Sequence, residues 1–318
     1  MSLTVRQFCE TEAAQWDGFC RDSLQGTFLH TRRFISYHRD RFEDLSVIIL
    51  EDDEWRGIIP AARVGQSETV VSHPGLTYGG ILHTGRLFGS RMIEAFEAVT
   101  SHYASLGLQR LRYKAVPIIY HRVAAQDDLY ALARLGARRF RCDLSSTIDL
   151  ACRRQVTARR RRACRKAVGA GLVLVRGRER LSEFWPLLEA NLQLRHQARP
   201  VHKIEEIENL ADRFPAEISF LGALADERLI AGIVQFLTPT TAHAQYIAAS
   251  EEGFRLAALD LVFEEAITSA QRDGRRWFDF GISNEQDGLI LNDGLYTFKT
   301  EFGGGGTICE SYELDLKK

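Results

Sequence analysis

The strongest constraint on this chain is an order of elements that it runs through twice. Alternating, turn-bounded patterns predict a hairpin at residues 45–50 and 55–63 about an acidic turn, then a short strand at 70–72. A helix at 86–105, ended by Gly107, and a strand at 108–115, stopped by Pro117, complete the first run. The same succession returns as a hairpin at 218–224 and 229–237 about Asp226-Glu227, a strand at 242–249, a helix at 254–272 and a strand at 277–282. Gly57 corresponds to Gly232, and Gly107 to Gly274. In the second run Leu256, Leu259, Phe263, Ala266 and Ala270 recur at steps of three and four, which is one apolar face of a helix. Phe278, Phe280 and Ile282 instead alternate with Trp277, Asp279 and Gly281, as a strand does. A strand–helix–strand crossover makes its two strands parallel neighbours. The chain therefore reads as α/β, with two domains at 1–150 and 151–318, each a mixed sheet flanked by helices, and with the principal cleft in the second.

Length agrees with this division, because 318 residues suit two domains of ordinary size. A hydrophobic content of 45% and a charged content of 26% are those of a globular protein with real cores. The net charge of −1 excludes a global electrostatic bias, so a nucleic-acid or membrane partner would be held by a local patch. The six cysteines are scattered, with neither a CxxC pair nor metal-ligand spacing, and read as free thiols without a metal. A polar start and the lack of any apolar run of membrane-spanning length lead us to expect a cytoplasmic protein without a membrane span.

One local patch does stand out. Arg153, Arg154, Arg159, Arg160, Arg161, Arg162, Arg165 and Lys166 crowd a predicted helix that Gly169 and Gly171 end. Like charges this dense repel one another unless an anion is near. The segment is either a phosphate-gripping patch for a donor such as coenzyme A or tRNA, or a solvated helix answering acidic residues elsewhere.

Several ordered stretches resemble a known pattern: YKAVPIIYH (113–121), RKAVGAGLVL (165–174), RPVH (199–202), AHAQYIAAS (242–250), ALDLVFEEAI (258–267), FDFGIS (278–283) and NDGLYTFKTEFGGG (292–305). Together with the duplication they resemble the FemAB-like branch of the GNAT acyltransferase superfamily, in which two GNAT folds are fused in one chain. That resemblance implies two tandem GNAT-like domains and transfer of an acyl group to an amine. The donor would be an acyl-coenzyme A or an aminoacyl-tRNA, and the acceptor a peptidoglycan precursor or an amino sugar made for surface polysaccharide. It places the donor at the loop from Ser250 to Arg255, with Gly253 and Arg255 as contacts, joined by Arg161 and Arg165. Here the sequence departs from the usual glycine-rich loop, since one glycine remains and Glu251 and Glu252 have been added. We expect acetyl transfer from coenzyme A to an amino sugar or sugar nucleotide. The alternatives are tRNA-dependent aminoacyl transfer, with the 153–166 segment gripping tRNA, and a GNAT-fold binding protein without turnover.

Acylation of an amine needs a group to take the amine's proton, donors for the oxyanion and often an acid for the leaving group. Asp279, at the end of a central strand, would accept the proton or orient the amine, or else is tied to Ser283 or a backbone amide. Tyr246 would be the acid, or else a core tyrosine. By the period of two, His243 and Gln245 share a strand face opposite Tyr246 and would bind substrate if that face lines the groove. His202 follows Pro200 in a loop, with Arg195 and His196 close by, and is the third catalytic candidate. Asn292 and Lys299, read as part of a loop, would hold an acceptor's phosphate or hydroxyls, with Lys299 equally readable as a solvated charge. His73 and Tyr78, in SHPGLTYGG, are acceptor contacts or parts of a structural turn. Gly303 to Gly306 would be a close approach to ligand or a flexible link into a last strand at 308–316.

Overall fold

A computed structural model describes residues 2–196 and 198–316, apart from the side chains of Arg39, Arg195 and His196. The chain forms two compact units. One takes the chain as far as Asp143 together with the chain from Ile308, and the other is Leu144–Thr307.

In the first unit come β1 (Thr4–Gln7), α1 (Ala13–Asp22), α2 (Arg32–Ile35), β2 (Glu43–Asp44), β3 (Val47–Glu51) and β4 (Glu54–Ile59). Then follow β5 (Ala62–Arg63), β6 (Thr69–Val71), β7 (Leu82–His83), α3 (Ser90–Ser105), β8 (Arg110–Lys114) and α4 (Asp127–Arg134). The hairpin β3–β4 is the one expected, flanked by β1 and β7 in an antiparallel sheet. Met92, Phe96, Val99 and Tyr103 on one side of α3 are buried against Val47, Ile49, Leu111 and Tyr113. β9 (Arg138–Asp149) begins in this unit and ends in the other.

The second unit contains α5 (Ala158–Gly169), β10 (Val173–Arg176), α6 (Leu181–His196), α7 (Ile204–Arg213), β11 (Ile218–Ala225), β12 (Arg228–Leu237) and β13 (Thr241–Ala249). After these come α8 (Glu251–Arg255), α9 (Ala258–Arg272), β14 (Trp277–Ile282), β15 (Asn284–Glu285), β16 (Ile290–Leu291), α10 (Asp293–Thr300) and β17 (Gly305–Asp315), which begins in this unit and ends in the first. Its sheet runs β10-β11-β12-β13-β14-β9, antiparallel throughout except for the parallel pair β13–β14. The parallel pair is the one the crossover demands. One sheet face packs on α5 and α9, around Phe263, Phe278, Phe280 and Phe302. The other packs on α6, where Phe184 meets Phe220. A Cβ at Gly232 would stand 2.8 Å from the Phe220 ring, so glycine is what lets the two aromatics close over the strands.

Three expectations change. The helix foreseen at 254–272 is two helices, because Ala257 adopts left-handed φ (58°) between α8 and α9. The last strand, expected in the second domain, pairs from Ser311 to Asp315 with β8 and buries Leu314 and Leu316 in the first unit's core. Gly303 to Gly306 are neither a ligand cradle nor a loose link at their first two positions. A Cβ would lie 2.2 Å from the Arg154 carbonyl oxygen at Gly303 and 2.3 Å from that of Thr147 at Gly304, so the chain is pressed against its own main chain.

Candidate active site

The ladder between β13 and β14 is short. It pairs Thr241 with Trp277, Ala242 with Phe278 and His243 with Asp279. Both polar side chains stand at its last rung. His243 Nδ1 is 2.8 Å from Asp279 Oδ2. The other carboxylate oxygen accepts the Ser145 hydroxyl from β9 and, at 3.1 Å, the main-chain N–H of Gly281. Gly281 donates from left-handed φ (79°), at an irregularity in the β14–β9 ladder that also turns Ser145 toward the carboxylate. Asp279 is 3% exposed. Burial pushes its pKa up, but the His243 charge and the bonds from His243, Ser145 and Gly281 outweigh this and hold it below the usual carboxylate range. An ionised Asp279 draws the imidazole proton to Nδ1, which leaves Nε2 as the basic nitrogen. His243, expected among substrate contacts, is thereby brought together with Asp279, expected among the catalytic groups. Ser145 was not anticipated as a site residue, since nothing local to 145 signals a partner more than a hundred positions away.

A bulge decides where Tyr246 points. On β12, Val234 and Gln235 are consecutive, yet they pair with Tyr246 and Ala244, so Gln245 is an extra residue in β13. Ala242, Ala244, Ile247 and Ala249 all reach the core under α9. Tyr246 therefore falls on the His243 face, not opposite it as strict alternation requires. There its ring packs edge-on to Trp185 of α6 with centroids 5.3 Å apart. Its hydroxyl lies 2.5 Å from His202 Nδ1 and accepts the His202 main-chain N–H at 3.3 Å. Burial pushes the phenol up to about 12, so it carries its proton at neutral pH.

Other candidates have structural employment. Asn292 caps α10, accepting the Leu295 N–H at 3.0 Å and donating to Glu285 at 2.8 Å. Lys299 is on that helix, not in a loop, and is buried, not solvated. Its ammonium donates to the carbonyls of Gly281 (2.9 Å) and Ile282 (2.7 Å), and burial lowers it to about 8 against the opposing pull of Asp279. His73 and Tyr78 are buried in the first unit, His73 beside His38 and Phe42, Tyr78 beside Tyr120. Arg195 and His196 end α6, and their side chains lie outside the described residues.

At the expected donor loop, the Gly253 N–H is taken by the Ser250 hydroxyl at 3.0 Å, and a Cβ there would meet the Ile230 carbonyl oxygen at 2.2 Å. Glu252 lies 3.7 Å from Arg255 and 3.0 Å from Arg228. The loop is closed on itself, with two carboxylates in its first helical turn, and does not fit a pyrophosphate. The basic segment divides. Arg153 pairs with Glu264 and Arg160 is buried with Asp260, whereas Arg161 and Arg165 are exposed. Among the described residues, no group of three or more His, Cys, Asp or Glu side chains is gathered as metal ligands would be.

Residues 151–293, which contain β13, β14 and both polar pairs, match the family described as an acetyltransferase (GNAT) domain. No curated protein matches the sequence. Among solved structures, FemX is similar in fold, with a TM-score of 0.69 at 13% identity over 98% of this chain and 97% of that one. The C-terminal domain of a putative lysylphosphatidylglycerol synthetase from Agrobacterium fabrum has a TM-score of 0.61 at 9% identity, over 97% and 92% of the two chains. A tandem GNAT protein from the clavulanic acid biosynthesis pathway has a TM-score of 0.56 at 13% identity, over 100% and 99%. Residues 151–293 thus match an acetyltransferase (GNAT) domain, and the chain has the fold of FemX and of a tandem GNAT protein.

Proposed function

We propose that the protein acylates the amino group of an amino sugar or sugar nucleotide, with His243 as the base. The observation that carries this reading is the Asp279–His243 pair at the last rung of the β13–β14 ladder. Beyond that rung β13 has no β14 partner, and its main-chain edge suits the extended, amide-bearing arm of an acyl donor. His243 Nε2 takes the proton as the amine nitrogen attacks the acyl carbon, and Asp279 stabilises the imidazolium that forms. When the bond to the leaving group breaks, Tyr246 supplies a proton to the departing atom. The His202 main-chain N–H, already aimed at the phenol oxygen, stabilises the phenolate left behind.

Acetyl-coenzyme A is the donor that the parted strands favour. A second reading, aminoacyl transfer from an ester-linked donor such as aminoacyl-tRNA, is favoured by the closed loop at Ser250 to Gly253. A screen of acetyl-coenzyme A against amino-sugar nucleotides, with thiol release as readout, tests the first directly. Release that depends on both amine and His243 supports it. No release, together with labelled aminoacyl transfer from charged tRNA, selects the second. Binding of either donor without turnover, unchanged in Asp279→Asn, would leave only a binding protein.

A further inference from the structure

The imidazole of His202 has no part in acyl transfer as derived above, yet it touches the acid. A phenol oxygen has one proton to donate and two lone pairs with which to accept. One lone pair of Tyr246 takes the His202 main-chain N–H at 3.3 Å. Nδ1 of the same residue lies 2.5 Å from that oxygen, and the Gln245 amide approaches it as well. What the Nδ1 contact does depends on where a proton stands. With Nδ1 bare, the phenol's own proton is engaged by the imidazole and cannot be handed on. With Nδ1 protonated, the imidazole donates to the oxygen, and the phenol's proton is free to turn toward a leaving group. Histidine ordinarily titrates near neutrality, whereas burial pushes the phenol up to about 12, so of the two it is the imidazole that changes state in the working range. Both side chains are buried, and the Trp185 ring stands edge-on to Tyr246, which holds the contact in one geometry. α7 begins two residues beyond His202 and brings Lys203, Glu205 and Glu206 to that side, with Glu206 accepting the Lys203 main-chain N–H at 2.9 Å.

We propose that His202 is a positioning residue for the acid: its protonated imidazole frees the Tyr246 proton and afterwards replaces it. The inference rests on the reading of Tyr246 as the acid. In the step itself, the bond between the acyl carbon and the leaving atom breaks, and the leaving atom keeps the electron pair. The Tyr246 proton crosses to that atom as the phenol O–H bond breaks. The Nδ1 proton then crosses to the phenolate, which restores the phenol and leaves the imidazole neutral. Solvent returns a proton to His202 before the next turnover. Two imidazoles thus bound the pH range from opposite sides. His243 has to be bare to take the amine's proton, and His202 has to be protonated to release the phenol's. A purely structural bond between Tyr246 and His202 would impose only the first of these conditions.

The test follows kcat against pH in the full chain. The readout is thiol release from acetyl-coenzyme A with an amino-sugar nucleotide, or labelled transfer from charged tRNA where that is the donor the chain accepts. The wild type should show two limbs, the alkaline one belonging to His202. His202→Gln keeps an amide that can donate to the phenol but has nothing to titrate. It should lose the alkaline limb and keep the acid limb, with the KM of the amine within about twofold of wild type. His202→Leu removes the donor as well and should lower kcat by about tenfold or more. Tyr246→Phe should lower kcat by about 10²-fold or more, and adding His202→Leu to it should change kcat by less than about twofold, because the imidazole acts through the phenol. An alkaline limb unmoved in His202→Gln, with Tyr246→Phe slow, overturns the proposal and leaves Tyr246 as the acid. Losses that add in the double variant give His202 a structural role and overturn it too. Tyr246→Phe at the wild-type rate overturns both the proposal and the acid, as does a chain without turnover on either donor.

Discussion

His243 can serve as a base only while its proton is held on Nδ1, and that depends on a carboxylate kept ionised inside the protein. Its donors include His243 itself, the Gly281 N–H and the Ser145 hydroxyl. Replacing His243 by Gln should lower kcat by about 10²–10⁴ with little change in KM, the usual worth of a positioned base. Ser145→Ala removes one donor and raises the Asp279 pKa. The carboxylate's folded pKa lies below its ordinary value, so its ionised form is complete at neutral pH and is lost as pH falls through the folded value. In Ser145→Ala the more basic Asp279 holds the imidazolium of His243 more firmly, so the acid limb of the kcat profile should begin at higher pH than in the wild type. An unmoved limb would place Ser145 outside the chemistry. Tyr246 and His202 form a separate pair whose shared face with His243 exists because Gln245 bulges from β13.

At the scale of elements, the segment that joins β13 to α9 is strained. Ala257 holds left-handed φ where glycine would be at ease, and Gly253 sits where any side chain would strike the Ile230 carbonyl. Opposite outcomes follow from two small substitutions four residues apart. Ala257→Gly should stabilise by about 0.5–1 kcal/mol net, the relief of about 1–2 kcal/mol of left-handed strain exceeding the entropy that glycine adds to the unfolded chain. Gly253→Ala should destabilise by about 1–3 kcal/mol, because main chain has to move. Urea melts of both variants check the pair of signs, and a shift of the same sign in both would refute this account of the turn. Arg160 tests the packing of α5 on α9. It is buried against Asp260 at 2.7 Å and lies over the Phe298 ring, so Arg160→Met strands a buried carboxylate and should cost about 3–5 kcal/mol. A melt within 1 kcal/mol of wild type would show that Asp260 finds another partner or a proton.

Over the whole molecule, buried histidines are concentrated in the first unit. Burial lowers His30 to about 4, His73 to about 3 and His83 to about 4, and it lowers His38 and His121 as well. These rings are neutral when folded and titrate near 6.5 when unfolded, so the unfolded chain binds more protons as pH falls below 6.5. Stability of the first unit should fall between pH 6.5 and about 4, by about 2 kcal/mol at pH 5 for each of His30, His73 and His83. Hydrogen exchange at pH 7 and pH 5 reads this directly. Amides of β3, β4 and α3 should lose protection while those of β11 and β12 keep theirs, and the reverse order would contradict it. The doubled element order and the parallel pairing of β13 with β14 were legible in the chain, because periodicity and crossover handedness act over a few residues; Asp279, expected at a strand end, lies inside β14, where its ladder with β13 stops. What only the tertiary structure decided was company. It brought Ser145 and His243 to Asp279, swung Tyr246 to their face through a bulge, buried Lys299 and sorted the arginines into paired and bare. Each of these depends on strand register and burial set by residues far apart in sequence, and a local pattern carries no record of either.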